Sequence, residues 1–182
     1  REVIMRRILT AVFAAAMALV LPVTGFAAEK PLKIGFVYVS PANEAGWSYA
    51  HDQARQELEK MEGISTFYTE SVPEGADSER VILQMARKNY DIIFTTSFGY
   101  MDPTIKVAKQ FPKTVFLHCS GYKTADNVSN YFGRMYQARY LTGLVSGAMT
   151  KKNVIGYAAA FPIPAVTRGT NAFTIGLRAL TP

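Results

Sequence analysis

KIGFVYVS (residues 33–40) and DIIFTT (91–96) are the two stretches that decide the fold. Each is a short, nearly continuous run of β-branched, aromatic and small residues, with no alternation of polar and apolar positions. Strands of this kind are covered on both faces, as in a parallel sheet with helices on either side. The chain around them agrees. ISTFYT (64–69) and residues 114–118 read as further strands, and 127–132 as a short fifth one. Between them lie helical stretches. Trp47, Ala50, His51, Ala54, Leu58 and Met61 fall at helical spacing, with Glu57, Glu59 and Lys60 on the opposite face. Residues 76–88 place Val81, Ile82 and Met85 inward, and Asn89 ends that helix in a left-handed conformation. Asp102-Pro103 reads as a helix start, Asp capping the free amides and Pro taking the first helical position, and Pro112 stops that helix near Phe111. Strand and helix in this alternation predict an α/β, Rossmann-like, doubly wound parallel sheet.

Farther along, residues 136–149 form an amphipathic helix rich in small residues, including Gly143 and Gly147. The pattern then restarts, with a strand expected over Asn153 to Ala159 and a helix over Ala165 to Leu180. A strand and a helix cannot bury their apolar faces alone. The expected division is therefore a leader over 1–27, a first lobe over 28–150 and the start of a second lobe over 151–182.

At the other end, Arg6 and Arg7 precede the apolar run 8–21, which breaks at Pro22. Gly25 and Ala27 are small enough for the pockets of a signal peptidase. This is the pattern of a secretory signal peptide cleaved near Ala27, with Met5 as its natural start, and it predicts a periplasmic protein. The run is shorter than the ~20 residues a membrane span requires. The formal net charge is +6. Loss of residues 1–27 removes Arg1, Arg6, Arg7 and Glu2 and lowers it by two. The remaining charges are dispersed, with Lys151-Lys152 the longest basic run, so no nucleic-acid footprint is present. Cys119 is the single cysteine, which leaves no intrachain disulfide to form.

In open α/β sheets ligands collect at the carboxyl ends of the strands, near the switch in strand order. Four segments fall there: 40–47, 97–100, 118–122 and 160–164. They carry Trp47, Phe98, Tyr100, Tyr122 and Phe161. Flat rings beside hydroxyls and backbone amides suit a planar ligand that stacks and hydrogen-bonds. The same pattern also fits plain core packing, evenly so for Trp47, which heads the apolar stripe of its helix. Enzyme chemistry finds little material. His51 reads as a hydrogen-bonded structural histidine. His118-Cys119 lacks an acidic orienter, and a strand-end cysteine of this kind is buried and inert. Two histidines make a poor metal site or triad, and neither GxGxxG nor a Walker A motif occurs, so no cofactor is expected.

KIGFVYVSP, AGWSYAHDQAR, SVPEGADSERVI, DIIFTTSFGYMDPT, GYKTADNVSNYFGR and NVIGYAAAFPIPAVTRGTNAFTIG together resemble the BMP (basic membrane protein) family of ABC-transporter substrate-binding proteins, from Lys33 to Leu180. The resemblance implies a type I periplasmic binding fold, two lobes closing on a purine base or nucleoside, and a monomer that hands its small-molecule ligand to an ABC permease in the inner membrane. It places the stacking aromatic of the first lobe on Trp47, a cleft-lining segment on Ser97-Phe98-Gly99, and a further contact on Phe161. Members of the family run to roughly twice the mature length expected here. The acidic residue that holds the base or ribose would then fall beyond Pro182, and a chain with half of such a cleft is expected to bind weakly or not at all, as a non-functional truncated product. Many members are lipoproteins; this chain has no cysteine at its expected cleavage site. Two rival readings stand beside transport: a periplasmic sensory module of the same fold, and a nucleoside hydrolase or Cys-dependent hydrolase.

Overall fold

The structure, a computed structural model, describes residues 30–180. The expected leader lies outside them. The elements follow in chain order as β1 (Leu32–Val37), α1 (Trp47–Glu59), β2 (Ile64–Thr69), α2 (Ala76–Arg87), β3 (Ile92–Thr95), α3 (Met101–Ala108), β4 (Val115–Cys119), β5 (Val128–Tyr131), α4 (Met135–Met149) and α5 (Pro164–Arg178). The five strands form one parallel sheet in the order β2-β1-β3-β4-β5. Winding runs outward from β1 to β2 and then back across to β3, so the switch point lies between β1 and β3.

Alternation along β1 sorts the two cores. Val37 joins Ile93, Phe116 and Val128 under α2 and α3, where Ile82, Met85 and Val107 are buried. Ile34, Phe36 and Tyr38 point to the other face, with Leu58 of α1 and with Ile92 and Phe94 of β3. Gly35 is needed where it stands, because a Cβ there would meet the Tyr90 ring at 2.8 Å and the Met85 sulfur at 2.9 Å. Asn89 has φ 55°, the left-handed residue expected after α2.

Four expectations fail locally. The buried face of α1 is polar: Ser48, Asp52 and Arg55 are inside, while Ala50, Ala54 and Met61 are exposed. The helix turns this way because the charges find partners. Arg55 Nε donates to Asp52 Oδ1 at 2.6 Å and Nη1 to Thr66 Oγ1 at 3.0 Å, and Tyr38 donates its hydroxyl to Asp52 at 3.3 Å. Burial alone would raise the Asp52 carboxyl. Hydrogen bonds from Arg55 and Gln56 outweigh it and hold the group below the ordinary carboxylate range. At α3, Asp102 caps nothing. A 3₁₀ turn, Phe98–Tyr100, leads into the helix, and Asp102 pairs with Lys123 at 2.6 Å. That helix also ends earlier than expected, at Ala108, where Asn127 Nδ2 lies within 3.2 Å of the carbonyls of Ala108, Phe111 and Thr114. Finally, Asn153 to Ala159 does not form a strand: Asn153 is a bend with φ 53°, and the residues after it are irregular. Among the described residues nothing lies beside it to complete a ladder, and the backbone from Val154 to Ala160 makes no hydrogen bond.

α4 packs on α5 across the expected lobe boundary. The contact is close because it is made by glycines. Gly143 and Gly147 lie against the backbone of Phe173 and Leu177, and Gly176 lies against that of Tyr140 and Leu144.

Candidate ligand-binding cleft

A cavity of about 540 Å³ opens at the carboxyl end of the sheet, between the strand-end loops on one side and α4, α5 and the segment joining them on the other. Its size falls within the roughly 300–1,000 Å³ of small-molecule sites. Val39 and Ser97 place it at the switch point, as the parallel topology requires.

Trp47 forms part of one wall. It opens α1, its indole N–H donates to the Thr96 carbonyl at 2.5 Å, and its side chain remains partly open. That bond fixes the ring edge, and the His51 ring lies 4.9 Å from the indole, centroid to centroid, with the rest of the ring left partly open. Phe132, just past β5, lies 6.3 Å from it, centroid to centroid. Phe98, from the β3–α3 loop, and Phe161, from the α4–α5 connection, meet with centroids 5.2 Å apart where the two walls come together. Aromatic surfaces thus reach the space from both walls.

Two charged groups line it, Glu74 and Arg139. Glu74 is held by the loop after β3: Ser97 Oγ donates to its Oε1 at 2.5 Å, and the Gly99 amide donates to the same oxygen at 3.1 Å. Gly99 has no side chain to bring to the cavity; it serves Glu74. A Cβ at that position would run into the Glu74 carboxyl group.

Trp47, Ser97, Phe98 and Phe161 therefore all line one cavity, and Gly99 supports it from behind. The other two ring candidates do not belong. Tyr100 is fully buried in the core, its hydroxyl donating to the Val72 carbonyl, and burial pushes its phenol well above the ordinary value. Tyr122 is 72% exposed and lies outside the cavity. His51 binds the Trp47 carbonyl through Nδ1 at 2.9 Å, a structural contact. His118 is buried with Nδ1 2.9 Å from Thr95 Oγ1, and burial pushes its pKa down to about 4. Burial pushes the Cys119 thiol up to about 11. A thiol protonated at neutral pH, outside the cavity, has no means of attacking a ligand held there.

Residues 32–182 match the family model described as Bmp, ABC transporter substrate-binding protein PnrA-like. The chain belongs to the Bmp family. Among its relatives, a purine-binding protein of Brucella abortus (strain 2308) is 50% identical over 157 residues, covering 85% of this chain and 45% of that protein. A putative ABC transporter glucose-binding protein of Haloferax volcanii is 49% identical over 148 residues, covering 81% and 38%. The fold matches an ABC transporter solute-binding protein of Aeropyrum pernix K1 with a TM-score of 0.67 at 20% identity, over 82% of this chain and 44% of that one. The architecture is thus the α/β fold of solute-binding proteins. This Bmp chain spans less than half the length of each of the three. Among its described residues no helix is long and apolar enough to cross a membrane.

Sequence reasoning missed Glu74, Phe132, Met135, Arg139 and Tyr157 as cavity residues, while Ser120 falls in the 118–122 segment expected there. Glu74 and Phe132 follow the ends of β2 and β5, so the rule that located Ser97 applied to them as well. Arg139 and Tyr157 carry no such signal. They arrive through the packing of α4 on α5, which leaves no short motif.

Proposed function

We propose that this chain contributes the ligand-binding cleft of an extracytoplasmic solute-binding component of an ABC importer, and that its ligand is a purine base or nucleoside. The observation that carries the reading is the arrangement of Trp47, Phe98 and Phe132 on the strand-end side of the cavity and Phe161 on the α4–α5 side, with polar groups at Ser97, Ser120 and Glu74. Planar heterocycles gain most from such a site, since stacked aromatic pairs contribute about 0.5–1.5 kcal/mol beyond the area they bury. The purine-binding name of the Brucella relative supports the same ligand class. The glucose-binding name of the Haloferax relative makes glucose the ligand to test against it.

Trp47 is the sole tryptophan, so its fluorescence reports directly on the cavity. Titrating the chain with adenine, adenosine and glucose to millimolar concentration should quench it with the purines and leave it unchanged with glucose. Trp47→Ala should weaken purine binding at least tenfold by calorimetry, which is about 1.4 kcal/mol. Binding of glucose alone, or an unchanged affinity in Trp47→Ala, would remove the reading.

A further inference from the structure

The carboxylate of Glu74 is unevenly used. Oε1 accepts from Ser97 Oγ and from the Gly99 amide, which fills its two lone pairs. Oε2 accepts from nothing among the described residues. The group is nevertheless held. Two donors grip one oxygen, and the bare Cα of Gly99 lies against the carboxyl, in space that any side chain would take. A glutamate tethered in this way has already lost the freedom that ligand binding would otherwise remove. Arg139 is the other charged side chain lining the cavity, and no ion pair joins the two. The carboxylate thus faces the cleft with no salt-bridge partner among the described residues.

We propose that Glu74 determines which ligands the cleft accepts: its Oε2 takes a hydrogen bond from a ring N–H or amino group, so the site selects uncharged heterocycles that present such a donor and rejects anions. This rests on the cleft being the ligand site. A charge-assisted bond to a fixed acceptor discriminates strongly, since a ligand without the donor leaves a carboxylate oxygen desolvated and unpaired. An anion meets the same oxygen as repulsion.

Glu74→Gln tests this with little change of shape. Its amide oxygen still accepts from Ser97 and Gly99, and its NH₂ then stands where Oε2 was. The acceptor becomes a donor and the charge is lost. Trp47 fluorescence titrations of wild type and variant with adenine, and with urate as an anion of similar outline, read both effects. Thermal melts confirm equal folding. Adenine should lose about tenfold in affinity, and urate should gain about tenfold. Adenine binding equally to both proteins overturns the role of Glu74 and leaves the purine reading intact. A loss for adenine without a gain for urate overturns the exclusion of anions. If the wild type shows no response to adenine at any concentration, the cleft reading itself fails and this inference falls with it.

Discussion

His118 shows how burial decides the behaviour of a residue that sequence alone leaves open. Its ring is fully enclosed at the end of β4, with Thr95 on Nδ1. Nε2 and the nearby Asn130 Oδ1 have no hydrogen-bond partner among the described residues. Desolvation pushes the pKa from 6.5 down to about 4, against a smaller opposing effect of Thr95. Between those values the unfolded chain binds a proton that the folded chain refuses. Stability therefore falls as pH drops through that window, by about 3 kcal/mol in all for a shift of this size. His118→Gln should lose this component. Urea unfolding of the two proteins between pH 4 and 7 measures it, and parallel pH profiles would show that His118 carries no such linkage. Asp52 acts lower on the scale. Its carboxyl is held below the ordinary value of 3.8, so its contribution is complete above that pH and is lost as the pH falls further. At this scale the cleft was legible wherever a ring or hydroxyl followed a strand, as with Trp47, Ser97 and Phe98. Glu74 lay within reach of the same rule as a residue of the loop following β2, but a glutamate in a surface turn looks like any solvated charge until Ser97 and Gly99 are seen to hold it.

Between helices, the contact of α4 with α5 shows what glycine spacing means. Glycine in a helix interior costs about 1 kcal/mol relative to alanine, so Gly→Ala should help wherever space allows. Gly169 and Gly176 lie on the same helix and separate the two cases. A Cβ at Gly169 meets Arg139 Cγ at 3.6 Å and the Tyr157 hydroxyl at 3.8 Å, which are ordinary contacts. A Cβ at Gly176 collides with the Tyr140 carbonyl oxygen and comes within 3.1 Å of the Leu144 nitrogen, backbone atoms that move only if the helices separate. Gly169→Ala should therefore be neutral or stabilise by up to about 1 kcal/mol. Gly176→Ala should destabilise by about 1–3 kcal/mol, the ordinary cost of overpacking. Denaturation followed by circular dichroism compares them, and equal effects would mean that the close approach is not maintained in solution. The small residues of α4 were readable as a sign of tight packing. Their partner was not, because helical spacing identifies a packing face without identifying what lies on it. The same limit explains α1, whose apolar period pointed at Ala50 and Ala54 while a paired Asp52–Arg55 took the interior.

For the molecule as a whole, the parallel α/β sheet followed from continuous apolar runs alternating with helices, and the expected strand over Asn153 to Ala159 did not form. Its sequence is strand-like, but a strand exists only through its neighbours, and among the described residues it has none. This segment nevertheless matters to the cleft, since Tyr157 to Phe161 line it opposite the loops that follow β1 and β3. One wall is thus anchored in a hydrogen-bonded sheet, and the other joins α4 and α5 to a segment, Val154 to Ala160, whose backbone groups have no partner among the described residues. Hydrogen exchange should separate them. Amides of β1, β3 and β4 should exchange only through global unfolding, whereas those of Val154 to Ala160 should exchange with little protection. A ligand stacked between the walls should then slow exchange at Tyr157 to Phe161 and at Ser97 to Tyr100 together, because it contacts both. Strong protection of Val154 to Ala160 in the free chain would mean that this segment is paired as a strand in solution. Protection confined to the sheet side would mean that the ligand sits on the β3 loop alone, and that Phe161 has no part in holding it.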